Sequence, residues 1–217
     1  MNAPLPTQAT HIRPQRTPSH PVDPIFVRRW SPRAFDTSPM SRADLMTMLE
    51  AARWAPSAYN IQPWRFIYAL RGDESWQDFV DLLDPSNASW AARASALVFV
   101  VSDRLTPARG SGSATPSRTH QFDTGAAWAH LALQATMLGY QAHAMAGIHY
   151  DAVRERLVVP ESFQIEIAVA IGRRASPETL PEELQARELP SDRLPLAELA
   201  FAGRFGAELR IQARIAL

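Results

Sequence analysis

Leu45, Met48, Leu49 and Ala52 recur at helical spacing, which predicts a helix with one buried face. Ser41 stands where its N-cap belongs, and Asp44 follows three residues later in a capping-box-like arrangement. The run Arg65–Leu70 reads as a strand. Trp76, Phe79, Val80 and Leu83 then return to the helical interval, and Pro85-Ser86-Asn87 is expected to close that segment. Ala96–Val101 is short, β-branched and continuously apolar, as a strand buried on both faces should be. Phe122–Leu138 predicts the longest helix, capped by Asp123 or Thr124 and stopped by Gly139. Small residues at Gly125, Ala126, Ala129, Ala132 and Ala135 let another helix approach it closely, from within the chain or from a second subunit. Gln141–Gly147 is expected to be extended, Asp151–Leu157 helical and Gln164–Ile171 a sheet strand.

The remaining stretches lack such periodicity. Thr106–Ser117 is rich in Gly, Ser, Thr and Pro and predicts a mobile loop or lid. Residues 176–192 read as an exposed connection rich in proline and glutamate. Beyond Gly203, the positions Leu209, Ile211 and Ile215 form an amphipathic tail suited to packing on something outside the main core. Pro4, Pro6, Pro14, Pro18 and Pro21 mark residues 1–23 as a flexible arm, which leaves 24–217 as a single domain.

Composition narrows the function. Hydrophobic residues make up 46% of the 217, enough for a real core, and 22 basic residues balance 22 acidic ones. That balance gives no reason to expect nucleic acid or a membrane as partner. With no cysteine, thiol nucleophiles and thiolate metal sites are excluded, and the chain fits a cytoplasmic setting. The longest apolar run, Leu97–Val101, falls far short of the roughly 20 residues that span a bilayer. No Gly-rich nucleotide cradle and no G-x-S-x-G elbow occurs. The six histidines show no metal spacing; His120, beside the lid, is either an exposed loop residue or a substrate contact. The tryptophans are expected mostly in the core.

Two polar stretches invite a chemical reading. In Pro56-Ser57-Ala58-Tyr59-Asn60-Ile61-Gln62-Pro63, two prolines rigidify a loop that carries a hydroxyl, two carboxamides and an aromatic ring. Carboxamides match the alternating C=O and N–H edge of a flat heterocycle, although a stiff helix-to-strand connection would use similar residues. Upstream, Arg28, Arg29 and Arg33 surround Ser31. Guanidinium forks bind a phosphate bidentately, and a solvated basic face is the alternative.

Taken in order, R-W-S-P-R-A-F at 29–35, A-P-S-A-Y-N-I-Q-P-W-R-F at 55–66, Phe122–Ala127, Met145-Ala146-Gly147 and Arg193-Leu194-Pro195-Leu196 resemble the FMN-dependent nitroreductase family. The resemblance runs from about Pro24 onward. It implies an α+β fold with a central mixed, mostly antiparallel sheet flanked by helices, dimeric with an exchanged C-terminal extension. Arg29, Ser31, Arg33 and Arg193 would then meet the FMN phosphate, with Trp30 giving its backbone or packing on the ribityl chain. The family's other basic phosphate position is Ser191 here, a missing charge that Arg28 or Arg204 could offset. The flavin ring would lie over Pro56, Ser57, Ala58, Tyr59 and Asn60, with Gln62 in support. Met145, Ala146 and Gly147 would line its other side, and Asn87 is a candidate for the pyrimidine edge. The implied chemistry is ping-pong: NAD(P)H reduces tightly bound FMN and leaves, and a small electron-poor acceptor (nitroaromatic, quinone, enone or aldehyde) takes its place. No side chain is assigned as general acid or base.

Overall fold

A computed structural model describes residues 16–107 and 112–206. Its elements, in chain order, are α1 (Pro24–Arg28), α2 (Arg42–Arg53), β1 (Trp64–Leu70), α3 (Trp76–Asp81), α4 (Pro85–Ala91), β2 (Ala96–Asp103), β3 (Leu105–Thr106), β4 (Thr115–Pro116), α5 (His120–Met137), β5 (Gln141–Met145), α6 (Tyr150–Arg156), β6 (Phe163–Gly172) and α7 (Glu182–Gln185). Four strands form one sheet in the order β1-β2-β6-β5, antiparallel at each pairing. Helices cover both faces, the α+β arrangement expected. No helix among the described residues is long and apolar enough to cross a membrane.

Alternation along the central strands divides the core in two. Leu97, Phe99 and Val101 of β2, with Ala168 and Ala170 of β6, face Phe79, Val80, Trp90 and Val153 from α3, α4 and α6. Ala96, Val98 and Val100, with Val169 and Ile171, face Leu45, Met48 and Ala52 of α2 and Ala127, Leu131 and Ala135 of α5. Ala132 and Ala135 of the expected small residues are buried in this half, where α5 comes close enough to α2 for His130 Nδ1 to lie 3.2 Å from the Ala51 carbonyl oxygen, whereas Gly125 and Ala129 are exposed. Phe122 and Met137 remain exposed on the same helix, at 82% and 62%.

Several boundaries differ from the expectation. The segment at Pro85 opens a helix instead of closing one, because proline at the first helical position loses no needed N–H. Trp90 then anchors that helix in the core. Helix α5 begins at His120, so Asp123 lies inside it rather than capping it. In the 176–192 connection Leu180 and Glu188 are buried. Trp54 departs from the expected core placement, being 71% exposed. The lid contains the short hairpin β3–β4, in which Leu105 pairs with Pro116. Residues 1–15 of the expected arm, 108–111 of the lid, and 207–217 with Leu209, Ile211 and Ile215 lie outside the described residues.

Phe35 bridges Arg174 beside the end of β6, continuing the sheet on the side that carries the arginine stretch. The contact is tight: a Cβ on Gly172 would lie 2.8 Å from Phe35 Cδ1 and 3.3 Å from the Ser95 backbone nitrogen. Gly172→Ala should therefore lower unfolding stability by about 1–3 kcal/mol, read as a lower urea midpoint at unchanged m-value.

Candidate functional site

The arginine stretch is held from three directions. Asp23 caps α1 by accepting from the Ile25 N–H at 2.8 Å. Arg16 Nη1 donates to the carbonyls of Val27 (2.7 Å) and Arg29 (2.9 Å), so the end of the expected arm is tied to the domain. The buried Glu188 carboxylate accepts from the N–H of Arg33 at 2.8 and 3.0 Å and of Ala34 at 2.9 Å.

These ties form a cavity of about 270 Å³ that gathers Arg29, Trp30, Ser31 and Arg33 from the N-terminal stretch with Arg187, Leu189, Ser191 and Arg193 from the C-terminal one. His143 of β5 completes the lining. No carboxylate lines it, and among the described residues none of the four guanidinium groups forms an ion pair. Burial, then the charges of Arg16 and Arg193, lowers the pKa of Arg29. Burial, then Arg187, lowers that of Arg33, against an opposing effect of Glu188. Cations concentrated in this way need an anion. The donor set, guanidinium forks and hydroxyls without competing acids, fits a phosphate dianion.

His143 was not singled out by the sequence. Its Nδ1 lies 2.9 Å from the Pro32 carbonyl, and its ring packs on Trp90 with centroids 4.7 Å apart. A proton on Nδ1, donated to that carbonyl, satisfies the bond. Burial is the main reason its pKa falls from 6.5 to about 4; the Pro32 hydrogen bond opposes this, while Arg33 and Arg29 add to it. A second cavity, of about 500 Å³, adjoins the first through shared Arg29 and Arg193. Val22, Phe26, Leu194, Leu196 and Leu199 give it apolar walls.

The carboxamide loop stands elsewhere. Ser57 Oγ accepts from the Gln62 N–H at 3.0 Å, and Gln62 Nε2 donates to the Asn60 carbonyl at 2.9 Å. Tyr59, Asn60 and Gln62 have φ of 52°, 57° and 53°, the left-handed region that costs side chains energy. Asp123 offsets part of that cost by accepting from the Ala58 N–H at 3.2 Å and from Thr119 Oγ1 at 3.0 Å. Pro56, Tyr59 and Asn60 are exposed, Tyr59 by 81%.

Met145 closes β5 in the core, and Ala146, exposed, and Gly147 follow it. The glycine meets protein rather than open space. Its carbonyl accepts from Asn87 Nδ2 at 2.9 Å, and an added Cβ would lie 2.5 Å from that nitrogen. Asn87 thus has its amide nitrogen committed within the chain.

Not all of these residues come together in one chain. The loop precedes β1 and the cavity contains His143 of β5, at opposite edges of the sheet. Three strand spacings amount to roughly 14 Å. Two other expectations are corrected: Arg28 and Arg204 do not line the arginine cavity, whereas Arg187 does. Nor is His120 an exposed loop residue. It opens α5 with Nδ1 2.7 Å from the buried Ser102 Oγ, which donates to Glu166 Oε1 at 2.5 Å. A register shift in β6 opposite Val100 and Val101 leaves Glu166 unpaired, and such bulges re-aim side chains.

Comparison with known proteins places these features in context. The family model "Nitroreductase family" matches residues 27–83 and 72–173. A crystal structure described as an oxidoreductase containing FMN is 52% identical, covering 89% of this chain and 97% of that one, with a TM-score of 0.86. An uncharacterized 15.4 kDa protein of Mycolicibacterium smegmatis is 35% identical over 155 residues, 67% of this chain and 99% of that protein. A protein of Rhodopseudomonas palustris (strain TIE-1), provisionally named an NADH dehydrogenase/NAD(P)H nitroreductase, is 25% identical over 150 residues, 63% of this chain and 76% of that protein.

The depressed His143 pKa sets a pH dependence. The unfolded chain binds the proton between its ordinary 6.5 and the folded value of about 4, so acidification through that window favours unfolding. Stability should fall by at most about 3 kcal/mol as pH drops from above 7 to below 4 on this account. His143→Asn, which keeps a donor for Pro32, should flatten that part of the curve in urea titrations of ligand-free protein. An unchanged curve would dissociate it from His143.

Proposed function

The chain belongs to the nitroreductase family, and from that premise we propose that it is a homodimeric oxidoreductase using bound FMN, NAD(P)H as reductant and a small electron-poor acceptor. The observation that carries this reading is the acid-free cavity lined by Arg29, Arg33, Arg187 and Arg193. FMN, when bound, supplies two-electron chemistry between nicotinamide and acceptor, which the side chains of this protein lack.

In this reading Arg29, Ser31, Arg33 and Arg193 hold the phosphate, with Trp30 packing beside it. Trp30 itself is steadied by the Arg174 guanidinium, 5.9 Å from its ring centroid. Pro56, Ser57, Ala58, Tyr59 and Asn60 lie against the flavin ring, with the Asn60 carboxamide offering it both donor and acceptor. Gln62 fixes the Asn60 carbonyl, so the loop loses little entropy on binding. Asn87, Met145, Ala146 and Gly147 form a further wall, where the Asn87–Gly147 hydrogen bond keeps α4 against the end of β5. Protons for the reduced acceptor come from water.

The separation of loop and cavity supports a dimer. A two-fold pair of chains brings a patch of one copy to a different patch of the other, twice. The loop of one copy could then complete the cavity of its partner. The exposed Phe122 and Met137 of α5 offer apolar surface for such an interface.

Purified protein should absorb at about 370 and about 450 nm, and the longer-wavelength band should bleach on anaerobic addition of NADH or NADPH. Returning colour on adding a quinone or nitroaromatic completes the reaction. Colourless protein that does not take up FMN would refute the cofactor assignment. Protein that stays yellow with nicotinamide would refute the reductase activity and point to storage or oxygen-dependent chemistry.

A further inference from the structure

Ser191 brings a hydroxyl and no charge to the arginine cavity. Its Oγ lies 3.5 Å from Arg193 Nη1, and that same nitrogen also donates to the Ser191 carbonyl at 3.2 Å and the Asp192 carbonyl at 2.9 Å. Arg29 turns Nη1 to Ser31 Oγ at 3.4 Å. Both arginines therefore spend part of their donor fork on the protein.

Arg187 differs. Its side chain lines the cavity, is exposed, and forms no hydrogen bond or ion pair with any described residue. Its backbone is nonetheless fixed on both sides. The Arg187 N–H donates to the Leu184 carbonyl at 3.1 Å, closing the turn after α7. The next residue is Glu188, whose buried carboxylate is fastened to the Arg33 and Ala34 N–H groups. A rigid stem thus carries an uncommitted guanidinium to the rim of an anion site.

We propose that Arg187 is a phosphate-binding residue of the flavin site. The assignment rests on the FMN reading above. A phosphate monoester carries about −1.5 to −2 charges near pH 7, and an uncommitted planar fork offers it two parallel N–H donors. Glu188 is a positioning residue in this scheme, since it sets the height of Arg187 over the cavity without lining it. The discrimination that follows is between FMN and riboflavin, which share the ring and ribityl chain and differ in the phosphate.

The test titrates flavin-free, full-length protein with FMN and separately with riboflavin, following flavin fluorescence, for wild type, Arg187→Gln and Arg187→Lys. Because Arg187 is exposed, neither substitution should change the melting temperature. Arg187→Gln should raise the FMN Kd about 10- to 100-fold, the range for losing a charge-assisted hydrogen bond. Its riboflavin Kd should change less than about twofold, and Arg187→Lys, which keeps the charge but not the fork, should fall between. An unchanged FMN Kd in Arg187→Gln, or equal weakening toward both flavins, would overturn the role of Arg187 while leaving the FMN reading intact. Wild-type protein that binds neither flavin would overturn both.

Discussion

The Glu188 carboxylate, buried in the C-terminal segment, accepts three hydrogen bonds from the backbone N–H groups of Arg33 and Ala34, and the shape of the arginine cavity depends on that contact. The two stretches it joins are more than 150 residues apart (|i−j| of 155 and 154), and each carries guanidinium groups. Two unit cations about 8 Å apart repel by about 2 kcal/mol at an effective dielectric constant of about 20. Left to their charges alone, these stretches would separate. Glu188 holds them by their backbones, out of the cavity, and so assembles the cations without neutralising their side chains in ion pairs. Burial first, and then the neighbouring arginine charges, depress the pKa of Arg29 and Arg33, and a bound dianion would oppose both effects.

The sheet sets a second constraint. Antiparallel order β1-β2-β6-β5 puts the strand that follows the carboxamide loop at one edge and the strand bearing His143 at the other. Each half is locally well made. Asp123 fixes the loop through the Ala58 N–H, and Phe35 locks the arginine stretch against Gly172. On the proposed reading, two copies of the chain related by symmetry make two sites from four halves.

Much of this was legible in the sequence because it depends on local patterning. The apolar run of Ala96–Val101 became the central strand β2, and Ser41 caps α2 by accepting from the Asp44 N–H at 3.0 Å. The arginine stretch singled out around Arg29 does line a cavity. What remained hidden depends on contacts remote in sequence. Arg187 and Glu188 sit in a stretch whose composition reads as solvated linker, and nothing near them announces the arginine stretch as their partner. His143 looked like one histidine among six until β5 turned it toward Trp90 and the cavity. Asp123 fell inside a recognised motif, yet its role as a brace for a loop 65 residues away required the fold. The helix at Pro85 departs from the sequence expectation because proline both ends and begins helices, and burial of Trp90 selects the second role.

The central claim, that one flavin site takes its phosphate cavity from one copy and its carboxamide loop from another, is tested most directly by subunit complementation. One variant would lose Arg29 and Arg193 and keep its loop; a second would keep its arginines and lose the loop through Asn60→Ala and Asp123→Ala. Each should be inactive alone as a nicotinamide-dependent flavin reductase. Co-expressed at equal levels, they should recover about a quarter of the wild-type specific activity, because half of random dimers are mixed and each mixed dimer holds one intact site of two. If the mixture is as inactive as its components while mixed dimers form, each chain builds its site alone and the account is contradicted.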